Sequence, residues 1–179
     1  MNFPLASAKL QGYDPKQVDA LMARVKSQLD SPDREILSSA VVAIAKSDLV
    51  KGGYQIPAVD EAIAKVADTF EIRELERELK RVGKAKASTD LAALLRLLKQ
   101  VLETDPKERF EKVSQGYSPR LVNSLVKRIE IKRSTLVAPS TFELRTVSLG
   151  RSSNGYDRGQ VDEFLGAVVS AMHRQQLLG

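Results

Sequence analysis

The stretch GYDPKQVD at residues 12–19 returns as GYQIPAVD at 53–60, GYSPRLVN at 116–123 and GYDRGQVD at 155–162. The chain holds four tyrosines, and each stands in one of these segments, directly after a glycine and with four residues between it and a valine. A pattern that takes up every tyrosine is an internal repeat, and a repeat governs the reading of the fold before any single residue does.

Each position in the repeat has a physical reading. Gly12, Gly53, Gly116 and Gly155 are expected to supply a positive φ where the chain turns into a helix. Asp14 and Ser118 stand where an N-cap belongs, with Pro15 and Pro119 as first helical residues whose missing N–H is no loss. Asp14 with Gln17, and Asp157 with Gln160, match the spacing of a capping box. Pro57 is displaced by one residue, so the second helix is expected to begin one residue later. Tyr13, Tyr54, Tyr117 and Tyr156 lie just outside their helices, where each ring folds back as a staple onto Val18, Val59, Val122 or Val161. Burying such a ring contributes roughly 1.5–3 kcal/mol. Asp19, Asp60, Asn123 and Asp162 follow in the second turn, either accepting from the tyrosine hydroxyl or loop N–H groups, or standing in solvent as acids favoured by the helix dipole.

Behind each motif the apolar residues keep helical spacing: Val18, Leu21, Met22, Val25 and Leu29 in the first, Val161, Phe164, Leu165, Val168, Val169 and Met172 in the last. Further helices are expected over 33–49 and 91–102, opened by Ser-Pro-Asp and Ser-Thr-Asp, with a shorter one over 105–113. The segment 134–154 is rich in β-branched residues and ends in Gly-Arg-Ser-Ser-Asn, which predicts extended chain and a loop with at most one short strand. The fold class expected is mainly α: a helical repeat or bundle of about six or seven helices, four loop-helix units, little or no β. The motif glycines are separated by 41, 63 and 39 residues. That spacing divides the chain into a first pair of repeats (1–83), a connecting helix (84–103) and a second pair (104–179).

Composition narrows the chemistry. Cysteine is absent, which excludes disulfides and thiolate nucleophiles. The longest apolar run, Ala40 to Ala45, is far short of a membrane span, and nothing at the start resembles a signal peptide, so a cytoplasmic protein is expected. The single histidine, His173, is expected at the surface. Glu74 and Glu78 stand four apart but are interleaved with Arg73, Arg77 and Arg81, as in a solvated charged face. With no glycine-rich phosphate loop and no metal-ligand spacing, no catalytic residue, metal or cofactor is expected. The formal charge of +5 admits an anionic partner. Residues 107–133 hold eight Lys/Arg against three Glu. Lys127, Arg128, Lys132 and Arg133 are the candidate contacts there, against the plainer reading of a solvated face.

The form Gly-Tyr-Asp-x-x-x-Val-Asp-x-Phe-Leu, complete at Gly155 to Leu165 and preceded by Phe142-Glu-Leu-Arg-Thr-Val-Ser-Leu-Gly-Arg, is similar to the DivIVA domain of bacterial cell-division and polarity proteins. More narrowly, the chain resembles actinobacterial proteins that carry several such repeats; motifs and helices together cover about half of it. The resemblance implies a non-catalytic adaptor or scaffold at the septum or cell pole, binding other division or cell-wall proteins, with homo-oligomers and peripheral membrane contact. In that family an exposed apolar residue two places before the glycine, followed by a basic one, is thought to insert into the membrane. Here those places hold Leu10 and Gln11, Lys51 and Gly52, Ser114 and Gln115, and Ser153 and Asn154, so Leu10 is the candidate wedge. The family's long coiled coil has no counterpart, because only Val59, Ile63, Val66 and Phe70 keep heptad spacing before a charged stretch. The alternative function is a basic helical nucleic-acid-binding protein using Lys127, Arg128, Lys132 and Arg133.

Overall fold

The structure is a computed structural model that describes residues 3–31, 37–43, 45 and 47–179. The chain forms two compact units, Met1–Glu74 and Leu75–Gly179.

The first unit contains β1 (Gln11–Tyr13), α1 (Pro15–Asp30), the short α2 (Ser39–Ala43), β2 (Leu49–Lys51) and α3 (Ile56–Val82), which continues past Glu74. Asp14 caps α1 by accepting from the Lys16 N–H at 2.8 Å. The rest of the helix expected over 33–49 lies partly outside the described residues, and its last residue belongs to β2. Val18, Met22 and Val59 form one core cluster beneath Phe3, Tyr13 and Tyr54, and Val25, Leu37, Val42, Val66, Ala67 and Phe70 form another.

The second unit opens with α4 (Lys84–Glu103) and continues through β3 (Lys112–Val113), β4 (Gly116–Tyr117) and α5 (Pro119–Val126). Next come the hairpin β5 (Glu130–Lys132) and β6 (Thr135–Val137), α6 (Thr141–Thr146), β7 (Arg151–Ser152), β8 (Gly155–Tyr156) and α7 (Arg158–Leu178). A single core joins Leu95 and Leu98 of α4 to Val122, Leu125, Val126, Ile129, Leu136, Leu144 and the inner face of α7.

Several expectations are corrected. The expectation of little or no β is overturned: among the described residues eight strands in three antiparallel sheets accompany seven helices, although the helix count is as expected. What reads as a turn into a helix is itself β-paired, since Gly-Tyr ends β1, makes up β4 and β8, and at Tyr54 forms isolated bridges. Residues 105–113 are not helical. The Asp105 carboxylate accepts from the Lys107 N–H at 2.8 Å, while Arg109 turns back to donate to the carbonyls of Val101, Leu102 and Thr104 that α4 leaves unpaired. Within 134–154 a helix, α6, was hidden by its β-branched residues; Ser140 caps it by accepting from Glu143 N–H at 3.2 Å. α4 begins after Gly83, and Ser88, Thr89 and Asp90 lie inside it rather than capping it.

Among the motif helices, Pro15, Ile56, Pro119 and Arg158 each stand three residues after the glycine, so the second is not delayed. Pro57 sits at its second position, where an N–H has no intrahelical partner in any case. Ser118 makes no side-chain capping bond, and the capping boxes do not close. Gln17 bonds Asp48 and Gln160 accepts from the Glu111 N–H, although Asp157 does cap α7 through the Gln160 N–H.

The motif strands cross rather than fold into hairpins. β3 and β4 are separated by two residues, yet the sheet order is β3-β8-β4-β7, so each strand pairs with the other repeat's segment. In the first unit Tyr13 N–H donates to Tyr54 carbonyl at 2.9 Å and Tyr54 N–H to Tyr13 carbonyl at 2.8 Å. Here lies the need for glycine, and it is not a positive φ, which among glycines is found at Gly52, Gly83 and Gly150. A Cβ on Gly12 would lie 2.7 Å from the Gly53 carbonyl oxygen and one on Gly53 2.7 Å from that of Gly12. For Gly116 and Gly155 the corresponding distances are 2.7 and 2.6 Å. No Cβ fits between backbones this close. Gly155→Ala is expected to lower stability by about 1–3 kcal/mol or more. Gly166→Ala, in open space on exposed α7 surface, raises it by about 0.5–1 kcal/mol. Urea denaturation midpoints of the two variants check both signs.

Candidate partner-binding surface

The tyrosine hydroxyls and second-turn polar residues are exchanged between paired repeats. Tyr13 donates to Asp60 Oδ1 at 3.0 Å and Tyr54 to Asp19 Oδ1 at 3.2 Å. Tyr117 donates to Asp162 Oδ2 at 3.3 Å, and Asn123 Nδ2 donates to the Tyr156 hydroxyl at 3.1 Å. The acids therefore do bond tyrosines, but those of the partner repeat. Val18, Val59, Val122 and Val161 are fully buried beneath the rings; Tyr156 is 1 % exposed and the other three rings are half-buried.

The one asparagine among these four second-turn positions has a proton-counting reason. A phenol has a single hydrogen to give, and Tyr156 gives it to the Pro106 carbonyl. Its partner in the helix must then be a donor, which Asn123 is and a carboxylate is not. Among the described residues the buried Asn123 Oδ1 has no hydrogen-bond partner.

Burial, followed by the hydrogen bond and charge of Asp60, pushes the Tyr13 hydroxyl up to about 12. Burial and the partner carboxylate move Tyr54 and Tyr117 in the same direction. Desolvation raises the Asp60 carboxyl, and the Tyr13 hydrogen bond opposes that rise.

Both units share a cross-strand row. In the first, Leu5, Tyr54, Tyr13 and Leu49 stand side by side; in the second, Lys112, Tyr156, Tyr117 and Arg151 do. Phe3 meets Tyr54 with ring centroids 5.4 Å apart, as Phe110 meets Tyr156 at 5.5 Å. The backbone repeats the match, with Gln55 N–H bonded to Pro4 carbonyl and Asp157 N–H to Glu111 carbonyl. The ends of the row are exposed in both units, as leucines in one and as cations in the other. Sequence reading missed this row and its phenylalanines. Phe3 precedes its glycine by nine residues and Phe110 by six, so no constant spacing marked them.

Leu10, 62 % exposed, sits at the bend before β1, and its carbonyl accepts from Gly52 N–H at 2.9 Å. Lys51 lies opposite Gln11, the residue directly before Gly12. Of the four basic candidates, Arg128 is held by both oxygens of Glu143 and Lys132 is paired with Glu130. Lys127 and Arg133 are exposed and have no ion pair among the described residues. Glu74 accepts from Ser39 N–H and hydroxyl, whereas Glu78 pairs with Arg174. His173 is buried on α7, against the surface position expected. No described helix is long and apolar enough to cross a membrane. Compared with protein-family models, curated proteins and solved structures, the chain matches none.

Tyr156→Ala is expected to cost about 3–5 kcal/mol and to lower the melting temperature sharply. Asn123→Asp sets an acceptor against the Tyr156 oxygen and costs about 1–3 kcal/mol at neutral pH. Protonating the new carboxyl restores a donor, so calorimetry should show the deficit shrinking as pH falls. At the alkaline end the sign is fixed by the raised Tyr13 hydroxyl. Folded chain holds this proton more tightly than unfolded chain, so the contribution is full below pH 10 and is lost as pH rises to about 12. Urea midpoints between pH 8 and 12 should fall less steeply for Tyr13→Phe than for the parent.

Proposed function

We propose that the chain is a non-catalytic adaptor of the DivIVA type, acting at the septum or cell pole through protein–protein contact with other division or cell-wall proteins and through reversible contact with the membrane surface. The recurring residues support this reading by what they are engaged in. The glycines clear the backbone crossing, the valines are buried, and the tyrosines and second-turn polar residues bond each other, which leaves outward-facing groups of the ribbons for partners.

The observation that carries the membrane part is the exposed Leu10, with Lys9 next to it in sequence and Lys51 on the facing strand, both exposed. Inserting the leucine gains roughly 1.5–3 kcal/mol, and each lysine near an anionic leaflet about 1 kcal/mol. That sum suits a reversible contact, and lasting attachment needs a second signal such as a protein partner or another copy.

The test is co-sedimentation with phosphatidylglycerol-containing vesicles at low salt. The parent should pellet, and Leu10→Gln should leave most of the protein in the supernatant with its melting temperature unchanged. Absence of pelleting by the parent removes the membrane part. A fluorescent fusion spread evenly through the cytoplasm removes the adaptor reading at septum or pole.

A further inference from the structure

The two units are built alike and charged differently. Residues 1–74 hold nine Lys/Arg against 11 Asp/Glu, and residues 75–179 hold 19 against 12. The excess of positive charge thus lies entirely in the second unit, together with 11 of the chain's 14 arginines.

The cross-strand row concentrates the contrast at equivalent points. Where the first unit ends its row in Leu5 and Leu49, the second ends it in Lys112 and Arg151, both exposed and without an ion pair among the described residues. Three strand spacings separate these ends, about 14 Å. Arg120 and Arg158 are exposed in the first turns of the two helices that leave this ribbon. At the bends, Ser114, Gln115, Ser153 and Asn154 replace the apolar Leu10 of the first unit.

We propose that this ribbon face of the second unit binds the phosphate backbone of duplex nucleic acid without regard to sequence, Lys112 and Arg151 being its anchoring cations and Arg120 and Arg158 its flanking ones. Guanidinium forks match phosphate oxygens in pairs, which favours a phosphodiester over a diffuse negative surface. A lipid leaflet is disfavoured because the bends offer no apolar group to insert. A single strand is disfavoured because it needs open aromatic faces, and here Tyr156 is buried while the half-buried Tyr117 is bonded to Asp162. The inference rests on the charge of the row and is independent of the membrane contact proposed for Leu10.

Fluorescence anisotropy of a labelled 20-base-pair duplex of random sequence, titrated with the full chain from 50 to 200 mM salt, tests it. Four phosphate contacts predict that log K falls against log salt with a slope of about −3.6. K112Q/R151Q should keep its melting temperature, lose at least about tenfold in affinity at the lowest salt and reduce the slope by about two. Each single variant should reduce it by about one, which keeps the test open should the double variant fold poorly. L10Q should leave duplex affinity unchanged. No binding by the parent at 50 mM salt, or a K112Q/R151Q slope equal to the parent's, overturns the proposal. So does a result in which the double variant loses binding to phosphatidylglycerol vesicles while the duplex binds neither protein, which makes this a lipid face.

Discussion

The structure depends on two backbones passing closer together than any side chain permits. Reciprocal hydrogen bonds between Tyr13 and Tyr54, and the β-bridge between Tyr117 and Tyr156, bring the preceding glycines into contact. Everything else in the motif follows from that approach. With the strands crossed, each tyrosine is carried past its own helix to the helix of the other repeat, where Asp60, Asp19 and Asp162 accept from it and Asn123 donates to it. The valines close the floor beneath the rings. A single repeat has its tyrosine without its acceptor, so the folding unit is the pair.

The same geometry carries different surfaces. Residues that face the crossing are fixed by proton counting and by contact distance, and they recur. Residues that face outward at the ends of the row are leucines in one unit and cations in the other. Likeness at the crossing with divergence at the exposed ends of the row suits a chain that presents two chemically distinct surfaces on two copies of one frame. The break in the pattern at Asn123 belongs to the frame, because the Pro106 carbonyl claims the proton that an aspartate would have accepted.

The helices are legible because three turns of apolar periodicity outweigh local ambiguity, as in Val161 to Met172. The strands are not, because two residues of extended chain have no period, and Gly-Tyr before a capping aspartate reads as a turn. The need for glycine was legible and its reason was not: a positive φ and a close neighbour leave the same mark in a sequence. The spacing of tyrosine and second-turn acid admits their bond, but the sequence does not say which repeat supplies the acid. Proline and β-branched residues concealed α6, whose six residues depend on the Ser140 cap. Turn-forming Asp105 and Pro106 suggested a helix start where Arg109 instead closes off α4.

The crossing also has a bearing on how such chains change over evolutionary time. The segment joining one repeat to the next takes different forms in the two units, with α2 along the way in the first, and a hairpin and α6 in the second. Since the halves grip each other through the ribbon, the tether between them can differ in its elements from one unit to the other, provided it still supplies core residues such as Val42 in the first and Leu136 and Leu144 in the second. Novelty in this architecture is therefore expected to accumulate in the tethers, while the joint itself stays nearly fixed.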